Sequence, residues 1–120
     1  MNNIRRHINS YRYSVRGIWI AISQDYNTRI HIAAIIVVIT LNVFLHVTKT
    51  EWIVSLMLSG LVLMAEIFNT AIEKLADKIT KEHDQSIADI KDLTSGAVTL
   101  LGFLALVCGA IIYLPYIMTL

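Results

Sequence analysis

The stretch Trp52-Ile-Val-Ser-Leu-Met-Leu-Ser-Gly-Leu-Val-Leu-Met-Ala-Glu66-Ile-Phe-Asn69-Thr-Ala-Ile-Glu73 decides how this chain folds. It is long and apolar enough to cross a bilayer, which takes ~20 such residues. Two acids nevertheless lie near one end of it. A charged side chain at the centre of a spanning helix costs on the order of 3 kcal/mol, and the usual reason to keep one is function. Asn69 lies between the acids and Asp77 follows. Steps of three, four and four residues put all four side chains on one helical face. At 1.5 Å of rise per residue, Glu66 and Glu73 are roughly 10 Å apart along the axis. One carboxylate can therefore lie below the membrane surface while the other meets water.

The rest of the chain supports a membrane setting. It has 120 residues, 56% of them hydrophobic and only 16% charged, against about a quarter charged in a soluble domain. Residues 1–120 read as one domain, an all-α membrane protein. Ile4, Ile8, Tyr11, Val15, Ile18, Trp19 and Ile22 recur at helical spacing, with Arg5, Arg6, Arg12 and Arg16 largely opposite. Residues 4–24 are therefore expected to form a basic amphipathic helix on the membrane surface. Transmembrane helices are expected at 28–47, 52–72 and 93–118. Residues 48–51 form a tight hairpin between the first two, and 73–92 a longer polar link. No cleavable leader is visible at the start of the sequence. The single cysteine, Cys108, falls in the last apolar run and reads as a packing residue.

Basic residues set the orientation. Arg5, Arg6, Arg12, Arg16 and Arg29 precede the apolar core of the first span at 32–45, and Lys74, Lys78, Lys81 and Lys91 lie between the second and third, while Lys49 stands alone on the other side. The positive-inside rule places the N-terminus and the second link in the cytoplasm and the C-terminus outside. Trp52, Tyr113 and Tyr116 then fall at the outer interface. Ser95, Thr99, Gly102, Ala105 and Gly109 form a small-residue stripe that reads as a packing surface.

This topology gathers polar residues at one boundary. Asp25 precedes the first span, Glu73 and Asp77 end the second, and Lys91 and Asp92 open the third. Acids from separate helices suit Mg²⁺, which takes a few carboxylates together with phosphate oxygens and water. A lysine there can hold a phosphate as a point charge, and its position against the third helix dipole favours that role. Asp89 and Asp92 would suit the same helix end without any site. A deeper acid can take a proton from a lipid hydroxyl, so the set suits phosphoryl transfer at a membrane surface. Neither G-x-x-x-x-G-K-[ST] nor G-x-G-x-x-G occurs. The competing class is a transport or other non-enzymatic protein with Glu66 and Glu73 as a cation or proton site. A pathway would need polar groups through the bilayer, and residues 32–45 and 100–114 offer almost none. His7, His31, His46 and His83 are scattered without metal-ligand spacing and read as interfacial or hydrogen-bonded.

The segment Ala65-Glu66-Ile-Phe-Asn69-Thr70-Ala71-Ile72-Glu73-Lys-Leu-Ala-Asp77, with Ile90-Lys91-Asp92 and Gly96-Ala97-Val98, resembles the small bacterial diacylglycerol kinase and undecaprenol kinase family. The likeness covers nearly the whole chain. It implies an ATP- and Mg²⁺-dependent lipid kinase of the bacterial inner membrane, assembled as a homotrimer with sites shared between subunits and no nucleic-acid partner. By the same resemblance, Glu66 is the general base, Asp25 and Glu73 are metal carboxylates, and Lys91 contacts the ATP phosphates with Asp92 beside it. Asp25 stands where the family more often has Glu. Asn69 and Asp77 match supporting polar residues. Arg6, Tyr13, Ser14 and Gly17 match nucleotide- or substrate-side positions, and Glu82, His83 and Asp84 match the nucleotide loop. Asn69-Thr70-Ala-Ile-Glu73, Arg29-Ile-His31 and Glu51-Trp52 are similar to the undecaprenol branch, with diacylglycerol as the other acceptor.

Overall fold

The computed structural model describes residues 2–120, which form four helices and no strand. Each helix starts at a polar cap. Asn2 accepts the backbone N–H of Arg5 and opens α1 (Asn3–Gln24). Asp25 then serves two helices at once. Its backbone N–H donates to the Ala21 carbonyl and closes α1, while its carboxylate accepts from the N–H groups of Asn27 and Thr28 and opens α2 (Tyr26–Leu45). A one-residue joint of this kind fixes the angle between the two helices. Satisfying an N-terminal orphan N–H in this way is worth ~1 kcal/mol.

The hairpin after α2 is equally short. His46 adopts the left-handed conformation, φ 53°, a geometry that commonly ends helices. Thr48 and Glu51 then form a capping box at the start of α3 (Lys49–Ile79), with Thr48 accepting from the N–H of Glu51 and Glu51 accepting from that of Thr48. Asp84 caps α4 (Gln85–Met118) through the N–H of Ile87.

α2, α3 and α4 are each long and apolar enough to span a bilayer. α3 is the central helix and packs on both α2 and α4, whereas α1 meets the bundle chiefly at the α2 joint. α3 and α4 outrun the expected spans. Their 31 and 34 residues correspond to about 46 and 51 Å of rise, against ~30 Å of hydrocarbon. Most of the expected 73–92 link is thus helix, with the break confined to residues 80–84. Hydropathy marks where lipid ends, not where backbone hydrogen bonding ends. Lys91 accordingly lies well inside α4, so its opposition to a helix-start dipole lapses.

Few residues are buried within one chain. None of α4 is, and aliphatic side chains cover the outside of α2, α3 and α4. The buried set is mostly polar: Thr28, Asn42, Ser55, Glu66 and Asn69. These residues tie the helices at two levels. At one end, Asn42 donates to Ser55 Oγ (2.9 Å) and accepts from Tyr113 OH (2.6 Å), joining α2, α3 and α4. Tyr116 of the same helix reaches the capping Glu51. The other end holds the acids. His31 and Asn42 on α2, and Ser55 and Glu66 on α3, are separated by the same eleven steps, about three turns. Both ties therefore fall on matching faces of antiparallel helices.

Candidate active site

Glu66, Asn69, Glu73 and Asp77 follow one face of α3, and their exposure rises along it. Glu66 is 3% exposed and Asn69 8%, Glu73 is half-buried, and Asp77 is exposed. Exposure within one chain thus rises from Glu66 to Asp77, with Glu73 between the two. Asn69 is held from both sides: its amide donates to Glu73 Oε1 (3.4 Å), and Thr94 of α4 donates to its Oδ1 (2.6 Å). Asp77 accepts from Lys91 Nζ (2.6 Å), which brings α4's lysine over the same face. An exposed pair of this type is worth at most ~1 kcal/mol, so the ammonium stays available to a phosphate.

Asp25 joins this face from the α1–α2 joint. Its Oδ2 accepts from Thr28 Oγ1 (2.7 Å), the Thr28 N–H (3.2 Å) and Thr70 Oγ1 of α3 (2.8 Å). Burial pushes the Asp25 carboxyl up, but hydrogen bonds from Thr28 and Thr70, the neighbouring Glu66 and the Asn27 N–H outweigh it and hold the group below the usual aspartate range. Nearby, Lys74 Nζ donates to Gln24 Oε1 (2.9 Å), and Arg29 donates to the carbonyls of Ile22 (2.9 Å) and Ser23 (3.2 Å). Thr28 and Arg29 thus brace the joint between α1 and α2, and Thr70 and Lys74 lock it onto α3. Sequence reading did not single out any of them in this role; the one available signal was Thr70's position one turn beyond Glu66.

No three His, Cys, Asp or Glu side chains form a complete metal cage among the described residues. The donors still suit Mg²⁺, which commonly takes one or two carboxylates and completes its shell with water and substrate phosphates. Among the described residues, Glu73 accepts only the long Asn69 bond, and Asp25 Oδ1 only the 3.3 Å bond from Asn27. Those oxygens have capacity, whereas Asp25 Oδ2 is committed to the joint.

Other expected site residues lie apart from this cluster. Asp92 is one step from Lys91 and so turned away from α3; with Ser95 and Thr99 it forms an exposed outer face of α4. Glu82 and His83 lie exposed in the 80–84 turn, and Asp84 is occupied as a cap. Arg6, Tyr13, Ser14 and Gly17 are exposed on α1. Arg6 stands eighteen residues before Gln24, about 27 Å of rise from the joint. One chain does not bring Arg6 or Asp92 to the acids.

An apolar cleft of about 530 Å³ runs between α2, α3 and α4, with His31 and Val62 toward the acids and Ser55 and Tyr113 toward the far tie. Gly102, Ala105 and Gly109 of the small-residue stripe line it; their missing bulk leaves space here instead of a tight helix contact.

The sequence model of prokaryotic diacylglycerol kinase matches residues 12–113. The chain belongs to that family. Its site therefore belongs to a lipid kinase, and the buried Glu66 and its partners fall within the matched region. Among curated relatives, an undecaprenol kinase of Bacillus subtilis is 31% identical over 95% of this chain and 93% of the relative. A diacylglycerol kinase of Synechocystis is 33% identical over 92% of this chain, which spans 64% of that relative's length. A diacylglycerol kinase of Haemophilus influenzae is 31% identical over 88% of this chain and 91% of its own.

Proposed function

We propose that this lipid kinase transfers the γ-phosphoryl group of ATP, with Mg²⁺, to the hydroxyl of undecaprenol, with diacylglycerol as the second acceptor. The observation that carries this reading is the placement of Glu66. It is buried beside His31, which lines the inner end of an apolar cleft, in a helix whose next two turns carry the half-buried Glu73 and the exposed Asp77. A greasy alcohol and a soluble nucleotide can meet only at such a boundary.

Glu66 accepts the hydroxyl proton as the alcohol oxygen bonds to the γ-phosphorus and ADP leaves with the bridging electron pair. Asn69 holds Glu73, and Thr94 holds Asn69. Glu73 and the Oδ1 side of Asp25 are the residues that would hold Mg²⁺, which supplies charge neutralisation at the phosphates. Lys91, presented by Asp77, draws the same phosphates into line. Arg6, Tyr13, Ser14, Gly17, Glu82 and Asp92 complete the nucleotide side. They are too dispersed in one chain to do so, which supports a homotrimer with sites built across subunits. The basic excess at the acid-bearing end supports a cytoplasmic site, an inner-membrane location and an outside C-terminus. α1, exposed throughout but for a few residues at its end, then lies along the inner leaflet.

The acceptor choice rests on the likeness of Arg29-Ile-His31 and its neighbours to the undecaprenol branch. Offering both lipids with labelled ATP tests it: undecaprenol phosphate should form faster, and a clear preference for diacylglycerol reverses the choice. Glu66→Gln tests the mechanism. Loss of a general base lowers turnover by about 10²–10⁴-fold, and unchanged turnover removes Glu66 from that role.

A further inference from the structure

We propose that His31 is a substrate-holding residue, forming with Glu66 a two-point seat for the acceptor hydroxyl. This inference rests on the lipid kinase reading with Glu66 as base. His31 Nε2 and Glu66 Oε2 are 4.0 Å apart, with side chains 26% and 4% exposed. That gap exceeds a hydrogen bond, yet an oxygen can lie ~2.8 Å from both atoms. The pair is open by the width that one hydroxyl fills.

The lining of the cleft says which molecule brings that hydroxyl. Apart from His31, its polar side chains are Ser55, Ser59 and Tyr113. Ser55 and Tyr113 are joined through Asn42, and Ser59 donates to the Ser55 carbonyl. His31 is the one polar lining residue with no hydrogen bond among the described residues, and it stands at the end nearest Glu66. A hydrocarbon chain in the cleft therefore ends at a free imidazole and a buried carboxyl. Asp25, near enough to Glu66 to influence it, and Glu73 further along α3 lie beyond that carboxyl; α4 contributes no titratable group at this end of the lining.

The chemistry assigns the two contacts distinct work. With its proton on Nε2, His31 donates to a lone pair of the alcohol oxygen, and the alcohol donates its own proton to Glu66 Oε2. A second lone pair is left facing the γ-phosphorus. As the O–P bond forms and the bond from phosphorus to ADP breaks, the hydroxyl proton passes to Glu66 and ADP takes the electron pair. His31 neither gains nor loses a proton.

The test compares the full-length wild type with His31→Phe, which keeps a ring without the N–H, and His31→Gln, which restores an N–H donor. Loss of one hydrogen bond to a charged or reacting group corresponds to about a tenfold fall or more. His31→Phe should lower kcat with undecaprenol by that factor with KM for ATP unchanged, and His31→Gln should recover most of it. A His31→Phe variant with wild-type kcat overturns the seat, as does a His31→Gln variant that is folded and equally impaired. A second measurement needs no variant to be active. In wild type carrying ¹⁵N-imidazole, with His31 assigned through His31→Gln, the Nε2 resonance should move on adding undecaprenol and stay fixed on adding squalene, a polyprene without oxygen. Equal responses to both overturn the proposal. If the wild type phosphorylates neither undecaprenol nor diacylglycerol, the kinase reading itself falls and the seat with it. An active wild type matched by His31→Phe removes His31 alone.

Discussion

Asp25 acts at both a helix end and a helix interface, and its two oxygens divide the labour. Oδ2 accepts from Thr28 and Thr70, while among the described residues Oδ1 receives only the Asn27 N–H. An aspartate is one methylene shorter than glutamate, which suits a carboxylate that must also cap its own helix. The folded carboxyl lies below the ordinary 3.8, with burial opposed by the stronger hydrogen bonds. The stabilisation is therefore complete above the ordinary value and fades as pH falls through the lower folded one. Asp25→Asn should cost about 1 kcal/mol near neutrality as a weakened cap. It should also remove this part of the acid sensitivity. Thermal unfolding of wild type and variant at neutral pH and below 3.8 checks both points, and parallel losses on acidification would refute the linkage. Thr70→Val should cost a similar ~1 kcal/mol, the net worth of an ordinary hydrogen bond, and should loosen the joint without removing any proposed ligand.

At the scale of helices, the far tie holds the bundle where no chemistry is expected. Asn42 is 1% exposed and bonds to both Ser55 and Tyr113. Interhelical hydrogen bonds in membranes are worth ~0.6–2 kcal/mol. Asn42→Leu should lower thermal stability in detergent by that amount while leaving kcat with lipid within about twofold, because the acids lie about 16 Å away along the helices. Adding Tyr113→Phe to Asn42→Leu should cost less than the two separate losses combined, since they share one bond; strict additivity would exclude the tie. The three spans were legible in the sequence because ~20 apolar residues leave a chain few options, and the α3 face was legible because 3.6-residue periodicity is local. Asn42 was not, since one amide in an apolar run reads the same whether it faces a partner helix or lipid. Nor was the true extent of α3 and α4: Thr80 and Asp84 set it by capping, and a polar stretch such as 73–92 fits helix or loop equally well. The partnership of His31 with Glu66 depends on antiparallel register between two helices, which periodicity within either one does not specify.

For the whole molecule, the surface of a single chain poses a question that the proposed assembly would answer. α4 buries nothing, and its outer face sets Asp92 beside Ser95 and Thr99, polar groups that gain nothing from hydrocarbon. Arg6, meanwhile, stands about 27 Å of helix rise from the joint and from the acids that its proposed role requires it to serve. Both mismatches vanish if α1 of one copy serves the α3 face of another, as a closed ring of identical subunits permits. The consequence is measurable. Glu66→Gln lacks the base and Arg6→Ala lacks the nucleotide-side cation, so each homogeneous preparation should be inactive or nearly so. When the two are unfolded together in equal amounts and reassembled, a site that draws the base from one chain and the arginine from another has each intact half with probability one half. About a quarter of sites should then carry both, and undecaprenol phosphorylation should recover toward a quarter of the wild-type rate. If both residues of a site came from the same chain, no mixed assembly would contain an intact site and activity would stay at the level of the separate variants. That result would mean α1 folds back over its own α3, and the exposed face of α4 would have to be explained by lipid alone.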